Sequence, residues 1–241
     1  MPSSALPVQE KHRDKPYAPP TYNGSMTDLD LRCYFVTGAG APDQIVETAR
    51  AAAQGGAGII QVRSKPISAR DLYDLGLSVV TAVHEVNPST HVLIDDRVDV
   101  ALALKPHGVA GVHIGQDDLN PRIARDLLGP DAIIGLTTGT LDLVEAANDF
   151  ADVVNYIGAG PFRDTPTKDS GRTPLGLDGY PALVEASKLP IVAIGDVTVD
   201  DAEALARTGV DGVAIVRGIM NADNPRDYVE HVIANVDRGR L

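Results

Sequence analysis

Eight short, nearly unbroken apolar runs mark the chain from residue 31 onward: 31–37 (LRCYFVT), 58–63 (GIIQVR), 91–95 (HVLID), 108–114 (GVAGVHI), 132–136 (AIIGL), 152–158 (DVVNYIG), 190–195 (PIVAIG) and 211–216 (DGVAIV). Because they are apolar throughout rather than alternating, each predicts a parallel strand covered on both faces. Ala- and Leu-rich stretches with helical spacing lie between them, such as 42–54 (PDQIVETARAAAQ) and 199–208 (VDDAEALART). Small-residue turns (GGAG before 59, HGVAG before 112, TGVDG before 213) put glycine where a preceding helix would close. Eight strand–helix units predict an α/β fold, a single (β/α)8 TIM barrel over 29–241. The alternative, a doubly wound open sheet, calls for a Gly-rich fingerprint after the first strand. Thr37-Gly38-Ala39-Gly40-Ala41-Pro42 places Asp43 where the third glycine should stand, so the barrel is preferred.

Residues 1–28 differ in texture, with Pro2, Pro7, Pro16, Pro19 and Pro20 among polar residues. Such a segment buries too little surface to offset its ordering entropy and predicts a flexible tail; a partner-binding proline segment is the alternative. At 241 residues and 44% hydrophobic, the chain suffices for one barrel. Its net charge of −12 argues against nonspecific binding to nucleic acid or anionic membranes. A phosphorylated ligand then has to be met by local cations or by a metal ion. Cys33, the single cysteine, excludes an internal disulfide and a multi-cysteine zinc site. No apolar run reaches the roughly 18 residues of a membrane helix, and no secretory h-region is present. A soluble, cytoplasmic protein is expected.

In a barrel, chemistry gathers at the C-terminal strand ends. The second run ends in Gln61-Val62-Arg63-Ser64-Lys65, and strand alternation puts Gln61, Arg63 and Lys65 on one face. That is either a polar strand end solvating itself or, with two cations together, a phosphate clamp. The third run ends in Asp95-Asp96 before a helix starting near Arg97-Val98-Asp99. Asp96 reads as an N-cap or as a metal ligand. After the fourth run, Asn120 and Pro121 already supply a cap and a first helical residue, which leaves Asp117 and Asp118 available for other work. Carboxylates on adjacent strand ends, opposite a basic strand, suit an oxygen-ligand Mg2+ site. The fifth run ends at Thr137-Thr138, and the sixth enters a long loop whose Thr165, Thr167 and Lys168 form either an anion cradle or a solvated turn. The seventh ends at Gly195-Asp196 and the eighth at Val216-Arg217-Gly218, where this fold often holds phosphate. Cys33 and His113 are set aside as a nucleophile–base pair. A lone strand cysteine is usually a buried small hydrophobe, and no third group to match is legible.

Taken in order, these strand ends resemble the thiamine-phosphate synthase family from Tyr34 to Met220. The family's QxRxK is Gln61, Arg63 and Lys65; its Asn-Asp-Arg is Asp95-Asp96-Arg97; its HxGQxD is His113, Gly115, Gln116 and Asp118. Its Ser or Thr after the fifth strand is Thr137, and its TxTK is Thr165, Thr167 and Lys168. The resemblance implies a dissociative, Mg2+-assisted alkyl transfer in which a pyrimidine diphosphate loses pyrophosphate and is captured by a thiazole phosphate or its carboxylated form. It implies Arg63, Lys65, Lys168 and Thr137 as catalytic residues, with Thr137 facing the leaving group, and Asp96 and Asp118 as Mg2+ ligands. Gln61 and Asp95 would hold the pyrimidine end, while Thr165, Pro166, Thr167, Gly195, Val216 and Arg217 would position the thiazole partner. Its partners are small-molecule substrates rather than nucleic acid or membrane, and a homo-oligomer stays open. Two departures stand out: Asp95 replaces the usual Asn, and Asp196 replaces the second of two glycines, with Arg217 where Ser is common. An isomerase resembling the thiazole tautomerase and a non-catalytic barrel that binds a thiamine precursor are the alternatives.

Overall fold

The computed structural model describes residues 29–164 and 171–241. The expected tail at 1–28 lies outside them, as do Thr165, Pro166, Thr167 and Lys168. Eight parallel strands close into a barrel in chain order. They are β1 (Cys33–Val36), β2 (Ile59–Val62), β3 (His91–Asp95), β4 (Gly111–Ile114), β5 (Ile133–Thr138), β6 (Tyr156–Ala159), β7 (Ile191–Ile194) and β8 (Gly212–Ile215). The outer layer is α1 (Pro42–Gln54), α2 (Ala69–Val86), α3 (Val98–Leu104), α4 (Pro121–Leu128), α5 (Leu141–Ala147), α6 (Tyr180–Ala186) and α7 (Ala202–Arg207). A short α8 (Arg217–Met220) follows β8, and α9 (Pro225–Gly239) packs against α7 and α1. No helix among the described residues is long and apolar enough to cross a membrane.

Strand alternation sorts the apolar runs into two cores. Tyr34, Val36, Ile59, Leu93, Ile133, Tyr156, Val192 and Ala214 fill the barrel interior. Cys33, Phe35, Ile60, Val62, Val92 and Ile94 face outward and pack under the helices. Cys33 is fully buried there, a small core side chain as expected. α1 spans the predicted residues and buries Ile45, Ala49, Ala52 and Ala53, one stripe at helical spacing. Asn120 caps α4 by accepting from the Arg122 N–H, with Pro121 as the first helical residue.

Three of the boundaries that differ from the sequence expectation have a visible physical cause. The run at 152–158 becomes a strand only at Tyr156, because Val153 and Val154 donate back to the Phe150 carbonyl and finish a helical turn. β5 continues two residues past 136, which puts Thr137 inside the strand, beside Gly158 of β6. The 199–208 helix is split: the Thr198–Asp201 capping box tightens Val199–Asp201 into a 3-10 turn before α7.

Candidate active site

The C-terminal mouth of the barrel is a pocket reached by Gln61, Arg63, Asp95, Thr137, Gly195, Val216 and Arg217, seven of the residues singled out from the sequence. Its floor is a line of hydrogen-bonded side chains inside the barrel. Tyr34 donates its hydroxyl to Gln61 Oε1 at 2.7 Å, and Gln61 Nε2 donates to Asp95 Oδ1. The Tyr34 and Tyr156 hydroxyls are 2.7 Å apart. The Tyr156 hydroxyl lies 3.0 Å from His113 Nδ1, and His113 Nε2 lies 2.9 Å from Thr137 Oγ1. Gly135 makes this possible, since a Cβ there would collide with the Tyr156 hydroxyl and the His113 ring. Burial pushes the pKa of both tyrosines up, so each keeps its proton. His113 thus has partners that the sequence did not show, while Cys33 packs outward under the helices and does not join them. The register that sets His113 opposite Gly135 brings it Thr137 from β5 and Tyr156 from β6.

Above this floor, charges from β2, β3 and β4 converge. Lys65 Nζ lies 2.9 Å from Asp95 Oδ2 and also pairs with Asp96, while Arg63 Nε is 3.6 Å from Asp95 Oδ2. Asp95 Oδ2 is buried and accepts no aligned hydrogen bond, so charge rather than hydrogen bonding holds it. Burial raises the Asp95 carboxyl pKa and the Asp96 charge adds to the rise, against the pull of Lys65 and Arg63. Asp96 sits in the left-handed region at φ 58, a conformation that costs an L-residue roughly 1–2 kcal/mol. That turn aims its carboxylate at Lys65 rather than at α3, whose N-cap is Arg97 with no side-chain cap. The N-cap reading of Asp96 is overturned.

Asp118 Oδ2 accepts from the Gly115 N–H at 2.7 Å. Burial raises its pKa, the Gly115 N–H opposes the rise, and the facing Asp96 carboxylate strengthens it. Among the described residues no three carboxylate, histidine or cysteine side chains gather into a metal cage. Two facing carboxylates do suit Mg2+, which keeps several waters and takes substrate phosphate oxygens as its other ligands.

The opposite side of the mouth is built by β7 and β8. Gly195 has φ 111, and a Cβ on it would lie 2.5 Å from Pro161 Cα, so the loop after β6 crosses directly over it. Arg163 of that loop donates to the Asp196 carbonyl at 2.9 Å and to Asp201 Oδ2 at 2.8 Å. The Asp196 carboxylate pairs with Arg217 at the start of α8. Arg172, which the sequence reading did not single out, donates to the Thr138 carbonyl at 2.8 Å and reaches the pocket.

Cations, paired carboxylates and strand-end backbone at the mouth of a closed barrel define a (β/α)8 enzyme site for anionic substrates. The chain belongs to the thiamine monophosphate synthase family, whose profile matches residues 33–219. The thiamine-phosphate synthase of Corynebacterium jeikeium is 69% identical over 207 residues, covering 86% of this chain and 94% of the relative. That of Corynebacterium efficiens is 62% identical over 213 residues, covering 88% and 97%. Among solved structures, the thiamine phosphate pyrophosphorylase of Pyrococcus furiosus superposes with a TM-score of 0.75 at 31% identity, over 88% of this chain and 98% of that one. Barrel, family and transferase class thus agree with the reading of the strand ends.

Proposed function

We propose that the protein joins hydroxymethylpyrimidine diphosphate to a thiazole phosphate, giving thiamine monophosphate and pyrophosphate. The observation that carries this reading is Lys65 and Arg63 set beside the Asp95, Asp96 and Asp118 carboxylates, at one side of the pocket mouth. In the reaction the methylene C–O bond breaks and its electron pair leaves with the diphosphate. The thiazole nitrogen then forms the new C–N bond. Arg63, Lys65 and, from the loop outside the described residues, Lys168 meet the charge growing on the leaving group. Asp96 and Asp118 would hold Mg2+, which when bound supplies further positive charge to the diphosphate. Gln61 and Asp95 hold the pyrimidine end, and Thr137 faces the leaving group and the methylene it departs from. Gly195, Val216 and Arg217, with Thr165, Pro166 and Thr167, position the thiazole phosphate. No protein nucleophile is needed. The same reading makes this a cytoplasmic enzyme of small molecules.

The test is pyrophosphate release with both substrates and Mg2+, matched mole for mole by thiamine monophosphate. An isomerase would convert the thiazole without pyrimidine diphosphate and release none. A binding-only barrel would form no product.

A further inference from the structure

The line of side chains from Asp95 to Thr137 runs in one direction, and counting protons fixes that direction. Lys65 and Arg63 stand against Asp95 Oδ2, so the carboxylate accepts from Gln61 Nε2 at Oδ1. Gln61 Oε1 then faces Tyr34 and accepts its proton. With that proton spent, the 2.7 Å contact between the tyrosines is a donation from Tyr156 to Tyr34. Tyr156 has no second proton to give, so His113 Nδ1 at 3.0 Å must carry one. A neutral imidazole protonated at Nδ1 is bare at Nε2, and the Thr137 hydroxyl 2.9 Å away donates to it.

We propose that Asp95 is a positioning residue whose charge orients this whole chain, fixing His113 as the Nδ1–H tautomer and turning the Thr137 oxygen to the pocket as an acceptor. Free histidine in water prefers the Nε2–H tautomer, so the arrangement is imposed by the barrel. An asparagine at 95 reverses it. Its NH2 group cannot face two cationic donors, so its oxygen turns to Lys65 and Arg63 and its NH2 to Gln61. Gln61 must then offer its oxygen to residue 95 and its NH2 to Tyr34. Tyr34 donates to Tyr156, Tyr156 donates to His113 Nδ1, and His113 donates from Nε2 to Thr137. Resting on the proposed function, the inference deepens it. In this chain Thr137 offers lone pairs to the electron-poor methylene and amino end of the pyrimidine rather than a proton to the diphosphate.

The tautomer is directly measurable. Long-range 1H–15N correlation spectra of the 15N-labelled, ligand-free protein are recorded at about pH 8, above the ordinary imidazole range. Among six histidines, the signals of His113 are those lost in His113→Gln. The expected result is a proton-bearing Nδ1 and a bare Nε2. Asp95→Asn should exchange the two. In a Tyr34→Phe background, which cuts the chain, the same change at 95 should no longer do so. Nε2–H in the unaltered protein overturns the proposal, and so does Asp95→Asn that keeps Nδ1–H or an exchange that survives Tyr34→Phe. A merely structural Asp95 would alter stability and leave the tautomer alone. No substrate is present, so this outcome is separate from that of the pyrophosphate assay.

Discussion

Arg217 and Asp196 form an ion pair across the ends of β7 and β8, at the mouth of the pocket. Asp196 holds a left-handed backbone at φ 56, directly after Gly195 at φ 111, which sets a carboxylate beside the backbone that would cradle a phosphate. Unneutralised, that charge would repel the phosphate; Arg217 cancels it and has guanidinium donors left for the ligand. Arg217→Ser should therefore raise KM for thiazole phosphate about tenfold, or ~1.4 kcal/mol. Adding Asp196→Gly should recover most of that loss. A double-mutant cycle on this KM measures the coupling, and simple additivity would show that the pair plays no part.

The facing Asp96 and Asp118 carboxylates predict the metal dependence. EDTA in excess should abolish turnover, and Mg2+ should restore it. Asp118→Asn removes one of the two charges and should raise the Mg2+ concentration for half-maximal rate at least about tenfold. Titration calorimetry with Mg2+ and pyrophosphate together gives a second readout, in which the variant should bind more weakly. Turnover unaffected by EDTA would remove Mg2+ from the site.

What could be read in advance depended on whether a feature is local or set by register. α1, the Asn120 cap and the buried Cys33 follow from spacing within a few residues, and the structure carries all three. Gln61, Arg63 and Lys65 were legible because alternation along one strand end needs no neighbour. Tyr34 and Tyr156 sit inside apolar runs, and such runs hide which residues face the barrel interior. The partners of His113 come from β5 and β6, so only the strand register shows them. The turn of Asp96 away from α3 depends on a positive φ, which no residue pattern announces.

Burial of two histidines predicts how stability varies with pH. His84 at the end of α2 and His91 at the start of β3 both have pKa values lowered by burial; the Thr90 backbone opposes this at His84, and the His84 charge reinforces it at His91. The unfolded chain, near the ordinary value of about 6.5, takes up protons first as pH falls. Stability is then complete above that value and declines below it, until the folded histidines are themselves protonated. Melting temperature should drop between about pH 7.5 and pH 5.5, a window above the ordinary carboxylate range. The double variant His84→Gln, His91→Gln should lose less across that window than the unaltered protein. An equal loss would place the sensitivity elsewhere.

Lys65 offers the sharpest test of how the site works. In the free protein its ammonium lies against Asp95 and Asp96. Burial opposes its charge, but the hydrogen bond to Asp96 and the charges of Asp95 and Asp96 outweigh that and raise its pKa, so it enters the reaction as a cation. A group already neutralised by carboxylates adds little to ground-state binding of the diphosphate. Its contribution grows as negative charge builds on the departing oxygen. Lys65→Ala should therefore lower kcat about 100-fold, or ~2.7 kcal/mol, with KM for the pyrimidine diphosphate changed only a few-fold. Lys65→Arg keeps the charge and should recover part of the rate. Thermal melts of both variants control for the repulsion left between Asp95 and Asp96. A rise in KM at constant kcat would mean instead that Lys65 only binds the substrate before it ionises.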